Sequence, residues 1–82
     1  MKAMIENVNI RGCEAGVNKK GEPYLIVRFE DETGKAYELI DKEMDRQVYY
    51  KRNTDMDLTV DISMGKYTTI RIIDARKIEV EA

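Results

Sequence analysis

Apolar and polar residues alternate along much of this chain, as they do in β-strands that bury one face. Most of the alternating segments are also rich in β-branched and aromatic residues, which favour strands. The pattern predicts five strands, at residues 3–11, 24–29, 36–40, 58–62 and 67–73. In the second strand, Tyr24, Ile26 and Arg28 share one face, and the residues between them share the other.

Between the third and fourth strands the spacing of apolar residues changes to a helical period. Within residues 41–52, Met44 and Val48 stand four apart, with Ile40 one turn earlier. Asp41 is placed to cap the N-terminus. The pattern predicts a short helix of about three turns. Lys42, Arg46 and Lys51 are expected to be solvated positions of this helix.

Glycine, asparagine and proline mark the turns of the predicted sheet. Residues 18–23, NKKGEP, predict the connection between the first two strands, and residues 31–35, DETGK, predict a tight turn into the third. Residues 63–66, SMGK, predict the last turn. The order is therefore three strands, a helix and two strands.

This order predicts a mainly β protein in a single domain, residues 1–82. Five strands with one short helix between strands 3 and 4 match the OB-fold, a small Greek-key barrel. Closing the sheet into a barrel hides the strand edges of so small a protein. An SH3-like barrel is the alternative, and the helix before the fourth strand favours the OB-fold.

Composition restricts the chemistry to binding. The 82 residues include no His and a single Cys, so a catalytic His, a Cys–His zinc site and an internal disulfide are excluded. We therefore expect no enzymatic activity, no small-molecule substrate, no metal and no cofactor. The lone thiol of Cys13 fits a reducing cytoplasm. No membrane partner is expected, because no apolar run approaches a membrane span and the N-terminus is too polar for a signal peptide.

Charge is balanced overall but segregated along the chain. Fourteen Lys and Arg stand against sixteen Asp and Glu, for a net charge of −2, which excludes coating of nucleic acid by bulk charge. Residues 15–29 and 42–52 each carry +2 and residues 63–77 carry +3, whereas residues 30–41 carry −4 and residues 53–62 carry −3. Such segregation predicts a two-faced barrel, and an ordinary mixed surface is the alternative.

The segment GVNKKGEPY at residues 16–24 combines Gly-Val, basic residues, a Gly and Pro-Tyr. It resembles the first binding loop of the filamentous-phage gene V protein family, whose members are small, dimeric, single-stranded DNA-binding proteins with an OB-fold. Gly34, Tyr37 and Lys42 resemble the family's next hairpin, and residues 65–67, GKY, resemble its late hairpin with an aromatic tip. The chain departs from the family at Glu14, where a basic residue is usual, and at Glu30, where an aromatic ring would stack.

The resemblance implies a cytoplasmic protein of a bacterial host cell, encoded by a phage or conjugative plasmid and active in DNA replication. Its partners would be single-stranded DNA, or RNA, and a second copy of itself. Bases would stack on Tyr24 and Tyr37, and Tyr67 would close the groove and reach the partner's groove in the homodimer. The expected nucleic-acid-binding residues are Lys19, Lys20, Tyr24, Ile26, Arg28, Tyr37, Lys42, Lys66 and Tyr67.

Two functions of other classes stay open at this stage. In one, the aromatic face binds a peptide or partner domain, and the acidic net charge repels nucleic acid. In the other, the chain is a structural accessory subunit. The salt dependence of binding distinguishes these two functions from single-stranded DNA binding. The logarithm of the affinity for single-stranded DNA falls with the logarithm of the salt concentration by a slope of about −0.7 per phosphate contacted.

Overall fold

The computed structural model describes residues 1–78. The sequence after the last strand predicts a polar tail with Ile78 and Val80, and Val80 lies outside the described residues. The prediction of a mainly β chain with five strands is confirmed, and a 3-10 helix, Met44–Tyr49, lies between the third and fourth of them. The strands are β1 (Lys2–Val17), β2 (Pro23–Glu30), β3 (Ala36–Asp41), β4 (Asp55–Ser63) and β5 (Thr69–Lys77).

The strands form one closed barrel in the order β1-β2-β3-β5-β4. Every neighbouring pair is antiparallel except β3 and β5. These two run parallel and pair only through Ile40 with Arg71 and Asp41 with Ile72. The short parallel contact therefore closes the barrel and brings the end of β3 beside β5.

The first strand is longer than the sequence pattern predicted. The prediction ended it at residue 11, before Gly12, but β1 continues to Val17. Its first half pairs with β4 and its second half with β2, with irregularities between Ile5 and Val8 and between Ile10 and Gly12. Glycine within a strand commonly marks such a bulge, and the resulting bend lets one strand serve two sides of a barrel.

The barrel interior is filled by the apolar residues of the alternating pattern. On β2, Leu25, Val27 and Phe29 are buried, so Tyr24, Ile26 and Arg28 lie on the outer face. The buried apolar residues are Val8, Ile10, Leu25, Val27, Phe29, Tyr50, Met56, Leu58, Val60 and Ile72. The prediction that alternate residues of β2 share a face is thereby confirmed.

The helix differs from the prediction in length and in buried face. It is a six-residue 3-10 helix rather than three turns, and two members of the predicted stripe, Ile40 and Val48, are exposed. Val48 is 67% exposed, whereas Met44 and Tyr50 pack against the core. A 3-10 helix has three residues per turn, so residues four apart do not lie on one face.

Buried polar contacts explain this tight turn. Asp41 does not cap the helix; it is fully buried and accepts hydrogen bonds from Arg46 Nε (2.6 Å), Arg46 Nη2 (2.9 Å) and the Tyr50 hydroxyl (2.5 Å). Glu43 is the N-cap, and its own backbone N–H donates to Asp41 at 2.9 Å. The prediction that Arg46 is solvated is wrong, because its guanidinium compensates the buried carboxylate.

The last two strands also differ from the prediction in their bounds. The strand expected over residues 67–73 is β5, Thr69–Lys77, and Tyr67 lies in the loop before it. β4 begins at Asp55, three residues before the predicted start. Among residues 1–78 there is no helix of the length and apolar character needed to span a membrane.

Candidate nucleic-acid interface

The outer face of β1, β2 and β3 carries an exposed apolar surface. Ile40 is 42% exposed, and Tyr24 and Ile26 are half-buried beside it. We call these three residues the apolar platform. The cross-strand rows on this face pair Gly16 with Tyr24, Ile26 with Glu14 and Ile40, and Arg28 with Gly12 and Glu38. Ile40 was absent from the predicted site. Because Ile40 follows Leu39 in the strand, alternation would have placed the two residues on opposite faces of the sheet.

The outer end of the Tyr24 ring packs over β1 because its neighbour there, Gly16, has no side chain. A Cβ placed at Gly16 would meet Tyr24 Cζ at 2.9 Å and its hydroxyl at 3.0 Å. The ring is therefore in close contact with the backbone of β1 at Gly16. The ring also borders an open cavity of about 460 Å³ that is lined by Asn18, Glu22, Pro23, Tyr24, Ile40 and Lys42.

The loop beside Tyr24 is built by its own side-chain hydrogen bonds. Asn18 Oδ1 accepts from the backbone N–H groups of Lys20 and Glu22, both at 2.9 Å, and Gly21 has a φ of +80°. These contacts confirm the turn that the sequence predicted here. Lys19 and Lys20 are exposed on this loop and form no ion pair within residues 1–78.

Arg28 lies between two carboxylates at the far end of the platform. Its Nη1 is 3.0 Å from Glu14 Oε1, and its Nε is 3.1 Å from Glu38 Oε2. The hydrogen bond from Arg28 lowers the pKa of Glu14, and the bonds to Glu14 and Glu38 raise the pKa of Arg28. A phosphate at Arg28 would have to displace both acids, which the sequence prediction did not take into account.

Tyr37 does not share a face with Tyr24. It alternates with Leu39 and Asp41 on the inward side of β3, whereas Ile40 lies on the outward side. The Tyr37 ring stacks on Phe29 with centroids 5.7 Å apart, and it borders an apolar hollow of about 350 Å³ at one end of the barrel. The two rings predicted to floor one groove therefore belong to two surfaces.

Lys66 and Tyr67 lie on the hairpin loop between β4 and β5. Tyr67 is 76% exposed, and Lys66 Nζ is 5.9 Å from its ring centroid. Because β3 and β5 run parallel, this loop projects from the end where β3 begins. The Lys19–Lys20 loop lies beside the end where β3 finishes. The two loops therefore flank the platform from opposite ends.

A second cavity adjoins the platform at the junction of β3 and β5. Its volume is about 260 Å³, and its lining is Lys42, Glu43, Arg46, Arg71, Ile72 and Ile73. Lys42 was among the predicted site residues, but Arg46 and Arg71 were not. No local signal in the sequence identifies Arg71, since only the parallel pairing of β3 with β5 brings it beside Ile40.

Cys13 lies half-buried on β1 behind this face. Burial raises the pKa of its thiol, and the nearby Asp41 and Glu14 carboxylates raise it further. A thiol held in the neutral form is a poor nucleophile. The Cys13 side chain packs against the barrel core.

Comparison of the chain with protein-family models, with curated proteins and with solved structures found no match.

Proposed function

We propose that this chain is a single-stranded DNA-binding protein with an OB-fold, similar to the gene V protein family, and that bases stack on the apolar platform. The observation that carries the proposal is the Tyr24 ring, which lies against Gly16 on an exposed face beside Ile26 and Ile40. Aromatic rings on such a face bind successive bases without regard to sequence. Exposed lysines at its border supply the charge.

The strand order supports the fold part of the proposal. A five-stranded Greek-key barrel with a helix between β3 and β4 is the OB-fold arrangement. In that fold the face of strands 2 and 3 binds oligonucleotides, together with the loops between strands 1 and 2 and between strands 4 and 5. Here these loops carry Lys19 and Lys20, and Lys66 and Tyr67.

In the proposed mechanism the bases lie on Tyr24, Ile26 and Ile40, while lysines at the border contact phosphates and release counterions. Single-stranded RNA is a second ligand of the same chemistry. The chain acts as a homodimer in the cytoplasm of a bacterial host, in the replication of a phage or plasmid. Tyr67 of one protomer reaches the groove of its partner.

A peptide-binding module is the second candidate function. The apolar hollow beside Tyr37, lined almost wholly by hydrophobic side chains such as Leu39, Ile62 and Ile70, favours it. An apolar peptide bound there would show little dependence on salt. Single-stranded DNA bound to the apolar platform would instead lose affinity steeply as the salt concentration rises.

The deciding experiment is a titration of a fluorescent thymidine oligonucleotide by anisotropy at two salt concentrations. We expect Tyr24→Ala to weaken binding by about 1–3 kcal/mol, or about 5- to 150-fold, because the stacking surface is lost. Tyr24→Phe is the matched control, since it keeps the ring, and it should bind within about twofold of wild type.

Thermal unfolding of both variants completes the test. Tyr24 is half-buried on the outer face, so Tyr24→Ala should unfold close to the wild-type temperature. A wild-type protein that fails to bind at low salt would exclude the function. A large loss of stability in Tyr24→Ala would show that the ring is needed for the barrel instead.

A further inference from the structure

Three cationic side chains converge on the cavity at the junction of β3 and β5. Lys42, Arg46 and Arg71 line it, and Glu43 is the one acidic residue that residues 1–78 contribute to its lining. We call Lys42, Arg46 and Arg71 the cationic notch. Its volume of about 260 Å³ is sufficient for a phosphate group and its water.

Arg46 is held in the notch by the buried carboxylate of Asp41. Its Nε and Nη2 donate to Asp41 at 2.6 and 2.9 Å, and its side chain is 20% exposed. Nη1 has no hydrogen-bond partner within residues 1–78. A guanidinium fixed on one side by a carboxylate loses little entropy when its remaining donors bind an anion.

The other two cations are available to an anion. Lys42 is exposed and forms no ion pair within residues 1–78. Arg71 has a half-exposed side chain, and its nearest acid, Asp61, is 3.7 Å away, beyond hydrogen-bond distance. When a phosphate binds, both cations therefore lose contacts with water and not a tight ion pair.

The notch is continuous with the apolar platform. Lys42 lines both the notch and the cavity beside Tyr24. Ile40 of the platform pairs directly with Arg71 across the β3–β5 junction. A strand whose base lies on Tyr24 would thus have its backbone within reach of the notch, because neighbouring strands are about 4.8 Å apart.

Arg28, by contrast, is unsuited to this task. Its donors are engaged by Glu14 and Glu38, and a phosphate approaching it would meet both carboxylates. The carboxylates of Glu14 and Glu38 repel the phosphate backbone of the nucleic acid and direct it toward the other end of the platform. The phosphate path should therefore run over Lys42 and β5.

We propose that the cationic notch binds a backbone phosphate of the single strand whose base stacks on Tyr24. The proposal rests on the proposed function and names the phosphate contacts of the same site. Lys42 and Arg71 make direct contacts from exposed positions. Arg46 contributes its remaining donor from the position that Asp41 imposes.

The test compares two double variants that remove the same charges at different places. The notch variant, Lys42→Gln with Arg71→Gln, removes two of the three cations of the notch. The control variant, Lys51→Gln with Arg76→Gln, removes one Lys and one Arg at exposed positions outside it. Arg46 is left intact, because its removal would leave Asp41 buried without its cation. The probe is an unphosphorylated fluorescent thymidine oligonucleotide, titrated at about 50 mM and about 200 mM NaCl.

In the notch variant we expect the salt slope to fall by about 0.7, the value for one lost phosphate contact. Over a fourfold rise in salt, wild type should then lose about 2.6-fold more affinity than the notch variant. The control variant should keep the wild-type slope. If the notch variant loses its fold in thermal unfolding, Arg71→Gln alone serves, with a smaller change of the slope in the same direction.

Each other outcome overturns the inference. An unchanged slope in the notch variant, with Tyr24→Ala still weakening binding, refutes the notch and leaves the proposed function standing. Equal slope changes in the notch and control variants show that only net charge matters. No binding by wild type at the lower salt concentration removes both proposals together.

Discussion

Gly16 offers a way to perturb the Tyr24 ring without touching Tyr24 itself. In Gly16→Ala the new Cβ would lie 2.9 Å from Tyr24 Cζ, so the ring must move by about 0.5 Å or more to restore ordinary contact. The clashing atoms are the far end of a flexible side chain, so the backbone can stay in place. We expect the barrel to fold and the ring to tilt away from the strand.

The expected effect is therefore on binding rather than on stability. Gly16→Ala should weaken oligonucleotide binding by a part of the roughly 1–3 kcal/mol assigned to stacking on Tyr24. Its midpoint of unfolding should stay near wild type. Alanine lowers the conformational entropy of the unfolded chain, which stabilises the fold by about 0.4–1 kcal/mol and offsets the cost of moving the ring. Binding by anisotropy and unfolding by circular dichroism measure the two quantities separately.

Gly12→Ala is the matched control on the same strand and face. A Cβ there would have no atom within 4 Å, and Gly12 pairs with Arg28 at the other end of the platform. It should be neutral or slightly stabilising and should bind like wild type. Equal binding by Gly16→Ala and wild type would refute the stacking of bases on Tyr24, because the ring would have moved without any effect on binding of the oligonucleotide.

Two further predictions concern the buried cluster and the oligomeric state. Burial and the hydrogen bond to Asp41 raise the pKa of Tyr50, so the folded protein favours the neutral phenol. Stability should be independent of this group below about pH 10 and fall above it by up to about 1.4 kcal/mol per pH unit. Tyr50→Phe should remove that slope and cost about 1.5–3 kcal/mol at neutral pH in denaturant titrations; an unchanged slope would contradict the assignment. In sedimentation at tens of micromolar we expect a species of twice the 9.5 kDa chain mass, and a heterodimer of Tyr24→Ala with Tyr67→Ala chains should keep one near-normal site, whereas two weakened sites would show that Tyr67 acts within its own protomer.

The local features of this protein follow from its amino-acid sequence. Alternation of apolar residues identified five strands and placed Tyr24, Ile26 and Arg28 on one face. The Asn18 and Asp31 turns were readable because a few adjacent residues supply both the side-chain acceptor and the glycine with positive φ. Such features depend on neighbours in the chain, so the chain alone predicts them.

The contacts between distant side chains, by contrast, follow from the folded barrel. The ion pairs of Arg28 depend on the register of β1 with β2 and of β2 with β3. The face of Tyr37 depends on which side of β3 closes around the core. Arg71 reaches the notch because β5 pairs in parallel with β3, some thirty residues earlier in the chain. Strand register and barrel closure are set by packing of the whole core, and no local pattern of residues encodes them.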